Sequence, residues 1–375
     1  MYVLKEFKGN NFMHNISCHV LLAVALSAAF PAQARNEGRP VPSGREPARG
    51  IARARHGGPT LAVGAPFRRS VLPASLSGVT WAGGNKYYAV SDDASTGEVG
   101  LYPMTIELSA SGLSVVSCSI PPPASRIPLA GAHDLEAVAF DAAAGTVWAA
   151  DESRCTVKEY RVADGSAVRM LPLPRELRKP RPNLGIESLT LSPDGRTLWT
   201  CTEEALACDG PRSSPSGGTT VRLLKYTRPE AKGDFALAGE CPYTTDAWSQ
   251  PFDYRGRGRR GVSGLCALPD GSLLVLEREL SFGGKNRLRA AATARLSFDV
   301  YHVEAPHVKG SRVATSAKKV KLASCGGPVL AFGNYEGICL GPRLPDGRLS
   351  VLLVSDAGDG VSPPMILPMA FSSAP

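Results

Sequence analysis

The strongest constraint on this chain is a pattern that occurs five times along it. The segments are "SLSGVTWAGGNKYYAVSDDAS" from Ser75, "HDLEAVAFDAAAGTVWAADES" from His133, "NLGIESLTLSPDGRTLWTCTEEAL" from Asn183, "GVSGLCALPDGSLLVLERELS" from Gly261 and "NYEGICLGPRLPDGRLSVLLVSDAGDG" from Asn334. Each sets a polar or acidic residue before a strand-length apolar run, then a turn, a second β-prone run, and charged or polar residues. Three of the turns are Pro193-Asp194-Gly195, Pro269-Asp270-Gly271 and Pro345-Asp346-Gly347. Proline presets φ there and glycine accepts positive φ, so each segment is expected to be a β-hairpin. The hairpins start about 50 to 80 residues apart, which leaves room for a four-stranded sheet around each.

One such sheet would leave apolar faces and bare edges in water. Stacking the sheets radially around an axis covers the faces and shortens the exposed edges. The expected fold is all-β, a β-propeller of five to six blades of antiparallel strands, with a sixth blade drawn from less regular sequence such as Leu223 to Leu237 or Ser297 to Val303. A pair of sandwiches and a solenoid are the alternatives, and the uneven spacing argues against the solenoid. With 39 Gly, 31 Pro and 7% aromatic residues, the composition suits short strands and turns better than helices.

A hairpin returns to the side it started from. Residues before its first strand and after its second therefore share one face, while the turn lies on the other. By this logic Glu187 neighbours Glu203 and Glu204, Glu136 neighbours Asp151 and Glu152, Glu336 neighbours Asp356, and Ser77 neighbours Asp92 and Asp93. Ser263 neighbours Glu277, Arg278 and Glu279. If the hairpins are the inner strands of blades, these groups converge on one mouth of a central channel.

The segments outside the hairpins set the context. Residues 1–34 read as a secretory signal peptide, with an apolar run from Val20 to Phe30 and cleavage expected after Ala34 in Ala32-Gln33-Ala34. Residues 35–60 read as a disordered basic arm, since Arg35 to Arg55 holds six arginines against two glutamates. Residues 61–375 form the propeller domain. The expected location is periplasmic or secreted, and no segment is long and apolar enough to span a membrane. The formal charge of +8 is unevenly placed, and the arm reads as a solubilising tether rather than a nucleic-acid binder. Eight cysteines remain after Cys18 leaves with the signal, an even number that favours disulfides in an exported chain. Cys201 and Cys208 are the best local pair, whereas Cys266 and Cys339, inside apolar runs, suit buried thiols.

Carboxylates crowded at one mouth raise one another's pKa and call for protons or cations. An oxygen-rich cluster without histidine or cysteine suits hard ions, Ca²⁺ first and Mg²⁺ second. Arg278, with Lys285, Arg287 and Arg289 beyond it, suits an anionic group. The same acids equally suit strand-end caps and salt bridges with Arg154 and Arg278. His133 stands beside the mouth as an acid, a base or a structural residue. No Gly-x-Ser-x-Gly elbow is present, which argues against a serine hydrolase of the α/β type.

Taken together, "LSGVTW…YYAVSDD", "DLEAVAFD", "GIESLTLSPDGRTLWTCTEE", "VSGLCALPDGSLLVLERELS" and "NYEGICLG…LLVSD" resemble the phytase-like family of exported propellers with esterase-like activity, from about Leu72 to Asp359. The resemblance implies a propeller that hydrolyses phosphate or other esters with calcium. It carries acidic positions onto Asp92, Glu136, Glu187, Glu277 and Glu336, which are the expected metal ligands; the residues themselves point to Glu136, Glu187, Glu336 and Arg278 as the catalytic set. Two departures are Ala137 and Ser188, where the family pattern has glycine after the acid. The function expected first is hydrolysis of a small anionic or ester substrate by a monomer. The alternatives are a non-catalytic ligand-binding propeller of the cell envelope, and a lactonase-like propeller in which Asn183 and Asn334 join the carboxylates.

Overall fold

A computed structural model of the chain describes residues 58–69, 75–92, 99–120, 125–178, 180–249, 258–283, 287–306, 308, 316–358 and 362–373. The signal peptide and nearly all of the basic arm lie outside these residues. All five hairpins form, and each supplies the two inner strands of a four-stranded blade. Blade 1 orders β3 (Gly78–Trp81), β4 (Lys86–Ser91), β5 (Gly100–Leu108) and β6 (Val115–Ser119) from the axis outward. Blade 2 is β7 (Leu135–Asp141), β8 (Thr146–Asp151), β9 (Thr156–Arg161) and β10 (Ala167–Met170). Blade 3 is β11 (Ile186–Leu191), β12 (Thr197–Thr202), β13 (Thr220–Thr227) and β14 (Ala236–Thr244). Blade 4 is β15 (Arg259–Ala267), β16 (Leu273–Ser281), β17 (Arg295–Val303) and β18 (Lys319–Pro328). A short helix, α1 (Arg287–Thr293), interrupts blade 4 before β17.

Blade 5 joins the two ends of the domain. Its strands β19 (Asn334–Arg343), β20 (Leu349–Asp356) and β21 (Met365–Ser372) come from the end of the chain, and β1 (Thr60–Val63) adds the outermost strand from the beginning. β1 pairs antiparallel with β21, from Thr60 against Ser372 to Val63 against Met369, and the short β2 (Phe67–Arg68) pairs further along the same strand. The innermost strands β3, β7, β11, β15 and β19 each pack against the two flanking ones, which closes a ring of five. The sequence proposed for a sixth blade is already used: Leu223–Leu237 falls in the outer half of blade 3, and Ser297–Val303 lies within β17.

The hairpin turns follow the chemistry read from the sequence. Gly195, Gly271 and Gly347 have φ of 71°, 84° and 88°. In each turn the aspartate Oδ1 accepts the N–H two residues on: Arg196 at 3.0 Å, Ser272 at 3.0 Å and Arg348 at 3.1 Å.

The core lies between blades. Each blade interface has its own apolar cluster, such as Ala137, Trp148, Ile186, Leu198 and Tyr226 between blades 2 and 3. Trp148 is 1% exposed and meets Phe235 edge-on at 5.5 Å. This layout corrects the expected disulfide. Cys201 is buried with Trp199, Leu223 and Tyr243 between blades 3 and 4, while Cys208 is exposed, and both are free thiols. Cys201 lies on β12, where strand alternation turns it into the core and away from the loop that carries Cys208. Cys266 and Cys339 are buried free thiols, as their apolar surroundings implied. Among the described residues no helix is long and apolar enough to cross a membrane.

Candidate active site

In blades 2 to 5 the innermost strand slips register near its mouth end. The slips fall between Leu135 and Ala137, Ile186 and Ser188, Val262 and Gly264, and Tyr335 and Gly337. Glu136, Glu187, Ser263 and Glu336 are therefore the bulged residues, and a bulge re-aims the side chain it leaves outside the ladder. Ser77 holds the corresponding place in blade 1, with its Oγ buried and without a hydrogen-bond partner among the described residues.

The residue after each of these is small because the inner strands approach backbone to backbone there. A Cβ on Gly78 would lie 2.8 Å from the Ala137 Cα, and one on Gly264 would lie 2.9 Å from the Glu336 carbonyl. Ala137 and Ser188, where glycine was the expected pattern, are both buried, and the ring closes around them.

The structure brings Asp92, Glu136, Glu187 and Glu336 into one electrostatic group, joined by Glu152, Glu203 and Asp356 from the ends of second strands. Glu187 is 7% exposed and makes no hydrogen bond to any described residue. Burial first, and then Glu152, Glu203 and Glu336, push its carboxyl well above the usual range. Glu136 is raised for the same reasons, by burial and then by Glu187, Asp92 and Glu152. Glu152 is pushed up to about 7, mainly by burial, although its Oε1 accepts the Gly185 N–H at 2.8 Å. Glu336 is also raised by burial, against the pull of Arg278.

One wall of the mouth carries the compensating charge. Arg278 donates through Nη2 to Glu203 Oε1 at 2.7 Å and through Nη1 to Asn334 Oδ1 at 3.1 Å, and its Nη1 also pairs with Glu336. It reaches Glu203 across Gly261, its register partner on β15. A Cβ there would stand 2.5 Å from the Glu203 Cγ. Arg259 holds the other oxygen of Glu203 at 3.0 Å. Burial alone would raise Glu203, but Arg259 and Arg278 outweigh it and hold the carboxyl below its usual range.

On the opposite side, one carboxylate oxygen each from Asp92, Asp134 and Glu136 lie within 4.8 Å of one another. Oxygens that close can share one cation at calcium distances of about 2.4 Å. The set contains no nitrogen or sulfur donor, and Ser75 Oγ also bonds Asp92. These residues fit a hard divalent ion. Asp134 was not among the ligands expected from the sequence. Its neighbour His133, the candidate acid or base beside the mouth, is exposed, with Nδ1 3.4 Å from Ser153 Oγ and its backbone N–H held by Asp151 at 2.8 Å.

Glu277 lies elsewhere. Strand alternation on β16 turns it to the face opposite Arg278, toward blade 3. There its oxygens accept Tyr243 Oη at 2.7 Å, the Asp246 N–H at 3.0 Å, Arg260 Nε at 2.8 Å and Lys319 Nζ at 2.7 Å. The structure thus places Glu277 apart from the other expected metal ligands, with its acceptors filled by protein donors. The two asparagines also part company. Asn334 is buried and donates to Glu336 Oε1 at 2.9 Å, whereas Asn183 is exposed in a turn at φ 54°.

Residues 74–357 match the model of the phytase-like family, described as esterase-like activity of phytase. The chain belongs to this family. Among solved structures, this phytase-like chain is similar to the Myxococcus xanthus glutaminyl cyclase, at 11% identity and a TM-score of 0.37 over 85% of this chain and 99% of that one. It is also similar to the tail fiber of Staphylococcus aureus phage P68, at 12% identity and a TM-score of 0.38 over 82% and 52%. No curated protein matches the chain.

Proposed function

We propose that this phytase-like propeller is an exported hydrolase of phosphate monoesters or other esters, with calcium held at the channel mouth. The observation that carries the reading is Glu187, a carboxyl buried among other carboxylates without a hydrogen-bond partner among the described residues. A structural acid in this position would be expected to have donors, as Glu277 has.

Asp92, Asp134 and Glu136 are the residues that would hold the ion. When bound, calcium would supply charge to polarise an ester oxygen. Burial and the neighbouring carboxylates disfavour the Glu187 anion and raise its carboxyl well above the usual range. It is thus poised as a general acid toward a leaving oxygen, a role worth about 10²- to 10⁴-fold in rate. Glu336 is tied to Arg278 and Asn334 through Oε1, so its part is to fix the wall that faces the substrate. Arg278 is occupied on both Nη atoms and acts through its field rather than by gripping substrate.

The test is turnover of a panel of phosphomonoesters and carboxylic esters, with calcium binding measured calorimetrically on metal-stripped protein. The expected result is turnover that a chelator abolishes and that falls about 10²- to 10⁴-fold in Glu187→Gln, with calcium affinity lost in Asp92→Asn. Calcium-loaded wild type that turns over no member of the panel would sink the enzymatic reading and leave a ligand-binding mouth.

A further inference from the structure

We infer that Arg259 is the group that grips an anionic oxygen of the substrate, and that the mouth therefore selects esters bearing negative charge beside the cleaved bond. The inference rests on the proposed mouth site and assigns its specificity.

Three arginines gather around this wall, and they differ in how many donors are spent. Arg278 has both Nη atoms engaged, and its side chain is 12% exposed. Arg212 clamps Glu204 with a two-pronged grip, Nε to Oε2 at 3.1 Å and Nη2 to Oε1 at 3.0 Å. Arg259 spends Nη1 alone, on Glu203 Oε2 at 3.0 Å. Its Nε and Nη2 have no partner among the described residues, and its side chain is 27% exposed.

Those two donors point the same way along one edge of the guanidinium plane. That edge is the fork that matches two oxygens of a phosphate or carboxylate. The anchoring is as informative as the vacancy. Glu203 is fully buried and bonded at both oxygens, so it anchors the partly exposed Arg259 guanidinium at Nη1 and leaves the Nε–Nη2 edge unspent. Arg259 also lies close enough to Glu152, at the end of β8 in blade 2, to oppose the upward shift of that carboxyl. The mouth is thus polarised: carboxylates of blades 1 and 2 on one side, and an arginine with a free fork on the blade 4 side. Such an arrangement suits a ligand whose anionic oxygens bridge a cation and a guanidinium. Because the uncompensated acids repel anions, anion binding here should strengthen when calcium is present, and the coupling is reciprocal.

The experiment uses inorganic phosphate as the binding probe and a matched pair of substrates, a phosphate monoester and a neutral acetate ester of the same phenol. With calcium present, phosphate should bind wild type and lose about 10- to 100-fold in affinity in Arg259→Gln, the size expected for removing charged hydrogen bonds. KM for the phosphate ester should rise by a similar factor while KM for the acetate ester holds. Arg259→Lys, which keeps the charge but lacks the fork, should fall between, and thermal melts confirm that both variants fold. Phosphate that fails to bind wild type, or binds Arg259→Gln equally well, overturns the inference even if esters are hydrolysed. Phosphate binding that depends on Arg259 in a protein that turns over no ester supports the inference and overturns the hydrolase reading alone.

Discussion

Two clusters of buried carboxylates lie within one blade of each other, and they are built on opposite terms. Between blades 3 and 4, Glu277, Glu279, Asp299 and Asp246 face Arg260, Lys319, Lys321 and the hydroxyls of Tyr243 and Tyr301. Arg260, 2% exposed, reaches Glu277, Glu279 and Asp299. Glu279 in turn holds the Ser249 N–H at 2.8 Å and its Oγ at 2.9 Å. At the mouth, by contrast, Glu187 has no donor among the described residues, and the acids around it outnumber Arg259 and Arg278. Strand ends of the same fold carry both. The difference teaches that buried acids by themselves do not mark a site, whereas acids whose donors are missing do.

The largest effect expected from this contrast is on stability. Arg260→Met should cost about 3–5 kcal/mol, because three carboxylates lose their shared cation inside the protein. Glu187→Gln should not destabilise, and at neutral pH should stabilise the metal-free protein, since it removes an acid that burial and its neighbours penalise and that no donor holds. Chemical denaturation of both variants without metal reads this directly, and equal losses would erase the distinction between the clusters.

The second effect is a pH dependence of opposite sign in the two regions. Glu152 titrates near 4.5 when unfolded and near 7 in the fold. Metal-free protein should therefore lose stability as pH rises between those values, by up to about 3 kcal/mol, and stay level above them. Glu136, Glu187 and Glu336 are raised and act in the same direction. Asp299 is held low by Arg260 and Lys321 despite its burial, and Asp246 by Lys319, Tyr301 and Lys321 despite its own. Their contribution is complete above the ordinary aspartate range and is lost as pH falls below it toward their depressed values. The metal-free optimum set by these groups should lie at about pH 4, and calcium should move it upward. An optimum at neutral pH in stripped protein would contradict the picture of an unsatisfied mouth.

The smallest effect belongs to the bridge between the walls. Gly261→Ala would set a Cβ 2.7 Å from the Glu203 carbonyl and crowd its Cγ. The expected cost is about 1–2 kcal/mol, together with a weaker phosphate site, because Glu203 can no longer brace Arg259. Unchanged stability and phosphate affinity would show that the brace is dispensable.

Much of this was legible in the sequence, and the limits were physical. The hairpins follow from alternating apolar runs and Pro-Asp-Gly turns, which are local signals, and the convergence of Glu136, Glu187 and Glu336 follows from hairpin topology. The bulges that aim those residues leave no mark in composition, because they record how neighbouring strands slip. Glu277 and Arg278 are adjacent in sequence, and only the phase of β16 decides that one joins a structural network and the other the mouth. Arg259 lay in a basic run, Arg255 to Arg260, whose members looked alike until Glu203 could be placed beside one of them. Cys201 and Cys208 were paired on proximity along the chain, which says nothing about which way a strand residue points.

The pairing of β1 with β21 has a consequence in time. The strand that completes blade 5 is among the first parts of the domain to be made, yet its hydrogen-bond partner is among the last. Until Met365–Ser372 arrives, blade 5 lacks the strand that joins β20 to β1. Assembly of the mouth, which needs Glu336 of blade 5 beside Arg278 of blade 4, is thus a late event. A chain cut short by a dozen residues would keep every residue of the site and lose the strand that ties blade 5 to the start of the domain.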